Sequence, residues 1–185
     1  MTRAISVHLP EIPWLCLVRE EAGERLPALL SLIEGGCSGV LPAVGPSPMA
    51  DGVITTGCRP GESGLLVRQG KRPDGYGVDL ANSMTLQEPS LWDYLDAAGF
   101  RSAIINMRAT NYGHLQHGTI VSDLFCEIRA RTFKEWGVPP GSVQPLELAE
   151  KLAGLRLHPE ELTQEHLSPF FARGSDRAGG EEDAR

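Results

Sequence analysis

A chain of 185 residues has room for one sizeable domain, or for a domain and a tail, and an apolar content of 41% predicts a real core. The net charge of −7, without any basic patch, excludes the electrostatic footprint of a nucleic-acid binder. No apolar run reaches membrane-spanning length.

The N-terminal residues 1–21 hold only a short, proline-broken apolar stretch, without the unbroken core and small-residue cleavage site of a signal peptide. Cys16, Cys37, Cys58 and Cys126 are widely spaced and form no CxxC pair. This predicts buried free thiols in a reducing cytoplasm rather than a zinc knuckle or redox motif. Residues 4–9 alternate and are β-prone, which predicts a first strand. Next comes a helix carrying Leu29, Leu30, Leu32 and Ile33 that stops at Gly35-Gly36, and then a short strand over 40–44. Ser47-Pro48 opens another helix, and residues 58–80, rich in Gly, Arg and Asp, read as loop with short strands.

Residues 88–100 read as a clear helix, with Pro89 in its first turn, Leu91, Trp92, Leu95 and Ala98 on one face, and Gly99 just past its end. Asp93 and Asp96 then fall on its solvated side. The apolar run 102–107 follows as a buried strand, and helix, glycine, strand is the order of an α/β unit with a parallel sheet. A loop over 110–123 leads to a helix near 125–136, whose Arg129, Arg131 and Lys134 form a small solvated basic face. The proline–glycine break at 139–141 precedes an amphipathic helix over 145–157 and a partly helical stretch to 171. Trp14, Trp92 and Trp136 are expected as core or interface anchors. The expected domain spans 1–172, and 173–185, an acidic segment with no apolar anchor, is expected to be disordered.

Ser47 admits two readings. With Pro48 behind it, it is a good helix cap, its hydroxyl free to accept from backbone amides. The same helix start presents amide donors and partial positive charge, which suit an alkoxide and a bound phosphate, and Ala50 and Gly52 keep the first turns slim. Gly45-Pro46-Ser47-Pro48-Met49 lacks the second glycine of a hydrolase elbow, and no Walker or GxGxxG pattern occurs.

In this stretch the chain resembles the alkaline phosphatase superfamily, in its type I phosphodiesterase/nucleotide pyrophosphatase branch. The apolar helix of 26–36 and Ser47, nine residues before Thr56-Gly57, follow that branch in order and spacing, as do Arg59-Pro60-Gly61-Glu62-Ser63-Gly64 and the segments 74–107, 118–125 and 145–171. The resemblance covers most of residues 25–171. It implies an α/β fold with a mostly parallel sheet flanked by helices, equivalent to the N-terminal half of the family's domain. It also implies metal-dependent hydrolysis of phosphate esters through Ser47, with divalent metals, usually zinc, flanking the nucleophile.

The first metal carboxylate would fall at Pro10 or Glu11, so Glu11 and Ser47 are the implied ligands. Arg68 stands where some members carry an asparagine that contacts the phosphoryl oxygen, and can pair with phosphate. Ser63 replaces the family's usual histidine. The family's later ligands, an Asp, an Asp-His pair and a further His, have no counterpart after residue 171. His114 and His117 are three apart in a loop and read as solvated, and His158 and His166 belong to the terminal helices. The alternative is therefore a non-catalytic remnant or interaction module that keeps the fold. A homodimer or partner chain supplying the missing half would reconcile the two, with no nucleic acid and no membrane involved.

Overall fold

The computed structural model describes residues 3–9, 26–42, 44–71, 76–127 and 136–168. It is a mixed α/β chain with two small sheets. Helix α1 (Pro27–Gly35) is followed by α2 (Ser47–Thr56) and the single turn α3 (Pro60–Ser63). Strands β1 (Gln69–Lys71) and β2 (Val78–Leu80) pair as an antiparallel hairpin. Helix α4 (Leu91–Ala97) leads into β3 (Ser102–Ile105); β4 (Gly118–Val121), β5 (Val143–Gln144), α5 (Glu147–Ala153) and α6 (Gln164–Leu167) follow.

The larger sheet has the order β3-β4-β5. β3 and β4 are parallel, Ser102 opposite Gly118 and Ile105 opposite Val121, whereas β5 runs antiparallel to β4. The expected mostly parallel sheet is thus corrected: among the described residues one strand pair is parallel and two are antiparallel. β5 runs opposite to β4, so the two pair without the crossover that a parallel neighbour requires.

Helix α4 shows why local signals suffice where they are complete. Ser90 caps it, Oγ accepting from the Asp93 backbone N–H while the Asp93 carboxylate accepts from the Ser90 N–H at 2.7 Å. At its other end Gly99 takes φ 76°, and the Phe100 N–H reaches the Leu95 carbonyl at 2.9 Å. Pro89 precedes the cap instead of entering the first turn. Asp93 and Asp96 are not idle solvated carboxylates. Asp93 builds this capping box, and Asp96 accepts from the backbone N–H groups of Gln116 and His117 at 2.8 and 2.7 Å.

Two apolar clusters form the core. Leu65, Ala81 and Ala109 pack with Leu86; Ile104, Leu115 and Ile120 pack with Trp92 and Met107. Several expectations are corrected here. Residues 4–9 and the described part of 40–44 form no strand, since neither finds a neighbour to complete a ladder. In β3 only Ile104 is buried, while Ile105, on the opposite face, is 70% exposed. Cys37 and Cys126 are exposed and Cys58 half-buried, all three free thiols, so the buried-thiol expectation does not hold for them. Trp92 and Trp136 are partly buried. Cys16, Trp14, the basic face at 129–134, most of the helix expected near 125–136 and the tail 173–185 lie outside the described residues. No described helix is long and apolar enough to cross a membrane.

Candidate functional site at the carboxyl ends of the parallel strands

Ser47 is the first residue of α2, and Pro46 takes the capping position. Its hydroxyl makes no capping bond to the helix backbone. It accepts instead a hydrogen bond from Arg108 Nη1 at 2.5 Å. The same nitrogen donates to Asp51 Oδ2. Ser47 and Asp51 are one turn apart, which places both side chains on one helix face. Asp51 is only 3% exposed, and His8 Nδ1 approaches its second oxygen at 3.5 Å. Four side chains from three separate parts of the chain thus meet at the start of α2.

Gly52 lets this helix sit where it does. A Cβ there would come within 2.7 Å of Ser63 Oγ and 3.0 Å of Leu65 Cβ, so a side chain would push α2 away from α3 and the core. Ser63, at the family's histidine position, is fully buried and turned inward: its hydroxyl donates to the Pro60 carbonyl at 3.1 Å. It serves the α3 turn rather than the site.

Arg108 comes from the connection leaving β3, and Asp123 from the residues leaving β4. The carboxyl ends of parallel strands are where open α/β sheets gather ligand-binding groups. The connection is strained: Asn106, Ala109 and Tyr112 have φ of 56°, 59° and 60°. Such non-glycine residues are costly and cluster at functional positions. Asp123 is 9% exposed, and its Oδ1 has no hydrogen-bond partner among the described residues. Burial raises its pKa above the ordinary carboxylate value, against the opposing pull of the Arg68 and Arg108 charges. Arg68 itself is ion-paired with Glu127.

Of the residues singled out in the sequence, Ser47 sits in the cluster, Arg68 is held by its ion pair with Glu127 rather than by Ser47, and Glu11 lies outside the described residues. His117 pairs with Asp96 at 3.3 Å, and among the described residues neither His114 nor His117 belongs to a group of three metal-ligating side chains. Asp96 is held below the ordinary carboxylate range by the Gln116 backbone bond first and by His117 next. His8, Asp51, Arg108 and Asp123 carry no sequence motif that marks them. The four-residue spacing of Ser47 and Asp51 is the available signal for one of them.

The donor set does not match the two-metal centre that the resemblance implies. The Arg108 guanidinium already occupies the space facing Ser47 and Asp51, where a metal cation would meet a like charge. Among the described residues no three His, Cys, Asp or Glu side chains come together as metal ligands. The described residues therefore do not fit that centre.

The fold and site together define a small α/β chain with a serine–arginine–aspartate cluster at the mouth of a parallel strand pair. No family model, curated protein or solved structure matches the chain.

Proposed function

We propose that this chain is a phosphate-ester-binding module related to the N-terminal half of an alkaline-phosphatase-like phosphodiesterase. In this reading Ser47 holds the nucleophile position and Arg108 receives the phosphoryl group. The observation that carries the reading is the Arg108 Nη1 bond to Ser47 Oγ at 2.5 Å, on a helix start next to two parallel strand ends. A guanidinium that exchanges a hydroxyl for a phosphoryl oxygen loses no hydrogen bond and gains a charge-assisted one. Were Ser47 to attack, its oxygen would form the new P–O bond as the ester oxygen leaves with the electron pair. Asp51, held against the same guanidinium, is the nearby base for the serine proton.

The second reading is binding without turnover: a non-catalytic module that keeps the fold. It is favoured by the neutralisation of Arg108 by Asp51 and by the poor fit of the described donors to two metals. Self-association or a partner chain belongs to the same proposal, supported by exposed Ile105 and by the edge of β3, which is unpaired among the described residues.

Titration with phenyl phosphate, followed by NMR, tests the binding. The ligand should bind saturably, and Arg108→Ala should weaken it at least about tenfold, since bonds to charged groups contribute ~1.5–3 kcal/mol. Unchanged affinity in Arg108→Ala sinks the proposal. Hydrolysis of bis-p-nitrophenyl phosphate separates the two readings. Turnover that vanishes in Ser47→Ala, measured with and without added zinc, selects the enzyme, and equal background rates select the binding module. Light scattering over a dilution series checks self-association, where a monomer at all concentrations removes the homodimer.

A further inference from the structure

A second concave site has a chemistry opposite to the first. Residues 83–93 and 109–120 enclose a cleft of about 430 Å³, within the size range of small-ligand pockets. Its lining includes Trp92, Tyr112, His114, Glu88 and Asp93, and no described lysine or arginine. Two carboxylates thus border an aromatic cleft whose described lining holds no lysine or arginine to balance them. The Asp93 carboxylate is held by the Ser90 N–H and hydroxyl, which donate neutral hydrogen bonds and leave its charge in place. Glu88 is exposed and has no ion pair among the described residues.

The aromatic wall is held in place at a cost. Tyr112 has φ 60°, a conformation bulky side chains rarely adopt, and yet 54% of the residue remains in contact with water. Its N–H donates to the Gly141 carbonyl at 2.7 Å, and its ring lies on Gly141, where a Cβ would run into the ring carbons. Packing in the core does not explain a strained, half-exposed tyrosine seated on a glycine. Left-handed non-glycine residues of this kind gather at ligand-binding surfaces. Trp92 packs against the Ile104, Leu115 and Ile120 cluster.

We propose that this cleft binds a small organic cation, a methylated or quaternary ammonium group, against the Trp92 and Tyr112 rings, with Glu88 and Asp93 supplying the balancing charge. Aromatic faces attract such cations through their quadrupole, and the weak hydration of a methylated ammonium suits a cleft that is half apolar. Among the described lining residues an anion would find only His114 as a partner that can carry positive charge, against two carboxylates. An inorganic cation lacks its ligands, since no described triad of His, Cys, Asp or Glu exists. A neutral ring would leave the carboxylates unanswered.

The test is a titration of the full chain with tetramethylammonium, read by calorimetry and by the Trp92 indole N–H signal, with tert-butanol as the uncharged counterpart. Tetramethylammonium should shift Trp92 saturably and bind at least about fivefold more tightly than tert-butanol. Glu88→Lys should weaken it about tenfold, and added salt should weaken it further. Because Glu88 is exposed, this variant keeps the fold, which the unchanged remaining spectrum verifies. Equal binding of tert-butanol, an unaltered affinity in Glu88→Lys, or no saturation at tens of millimolar overturns the proposal. Ser47→Ala should leave cation binding untouched; a loss there shows one site rather than two and equally overturns the separate cleft. Failure of phenyl phosphate to bind has no bearing on this outcome.

Discussion

Arg108 and Arg156 are both partly enclosed arginines, and their partners set them apart. Arg156 directs Nε to the Phe125 carbonyl at 2.7 Å, Nη1 to that of Gly137 at 2.5 Å and Nη2 to that of Glu127 at 2.6 Å. Its guanidinium carbon stands 3.7 Å over the Trp136 ring, and the Trp136 indole donates back to the Arg156 carbonyl at 2.9 Å. His158 meets that ring edge-on at 4.9 Å. These guanidinium hydrogen bonds all end on backbone oxygens, which cannot turn away to other donors. Arg108 instead serves a hydroxyl and a carboxylate, side-chain groups that can rotate away from it. An arginine bound to carbonyls is a brace, whereas one bound to side chains can exchange a partner for a ligand.

The largest expected effect comes from breaking the exchangeable arginine. Arg108→Ala leaves the buried Asp51 charge without its guanidinium, which should cost about 3 kcal/mol in a denaturant melt at neutral pH. Adding Asp51→Ala should recover most of that loss, because the stranded charge goes with it. A double variant no more stable than the single one would mean that the Arg108–Asp51 pair does not hold the site together.

Arg156→Ala should cost about 2 kcal/mol, as carbonyls at the Phe125, Glu127 and Gly137 positions lose a charged donor in a partly solvated setting. Arg156→Lys should rescue little, since an ammonium cannot serve the same fork or lie flat on Trp136. Phenyl phosphate affinity should not move in either variant. A parallel loss of affinity would erase the distinction between brace and exchanger.

Asp123 offers a smaller, pH-dependent test. Its native pKa lies above the unfolded value near 3.8, because burial disfavours the charge. The native state therefore holds this proton more tightly than the unfolded state does. Ionisation costs stability progressively as pH rises from the unfolded pKa through the native one, and the penalty is fully present above both. Asp123→Asn should accordingly be more stable than the wild type at neutral pH. The gap should shrink as pH falls toward 3.8. A gap independent of pH would remove Asp123 from the electrostatics of the site.

The smallest effect expected is that of Ser47→Ala on stability. Loss of a capping serine typically costs ~1 kcal/mol, but Ser47 makes no capping bond, and Arg108 keeps Asp51 and can turn its freed donor to water, so the cost should stay below about 0.5 kcal/mol. Affinity for phenyl phosphate should fall nonetheless. A full capping penalty would return Ser47 to a purely structural role.

Much of the chain was legible where neighbours in sequence do the work. The start of α2 beside Pro48, the stop of α1 at Gly35-Gly36, and the Gly99 that ends α4 ahead of β3 all follow from local backbone chemistry. Caps, proline and left-handed glycine act within a few residues, so composition and spacing suffice. The presence of helices and strands in one mixed α/β fold was determined at this level too.

The tertiary structure alone decided which strands pair and in which direction, and what the Ser47 hydroxyl touches. Residues 4–9 alternate as a strand should, yet form none, because alternation supplies a face and not a partner. Arg108 stands 61 residues from Ser47 and 57 from Asp51. Nothing in the periodicity of either segment points to the other. Their meeting depends on the parallel register of β3 and β4 and on the strained turn that leaves β3, both of which are settled only when distant segments pack.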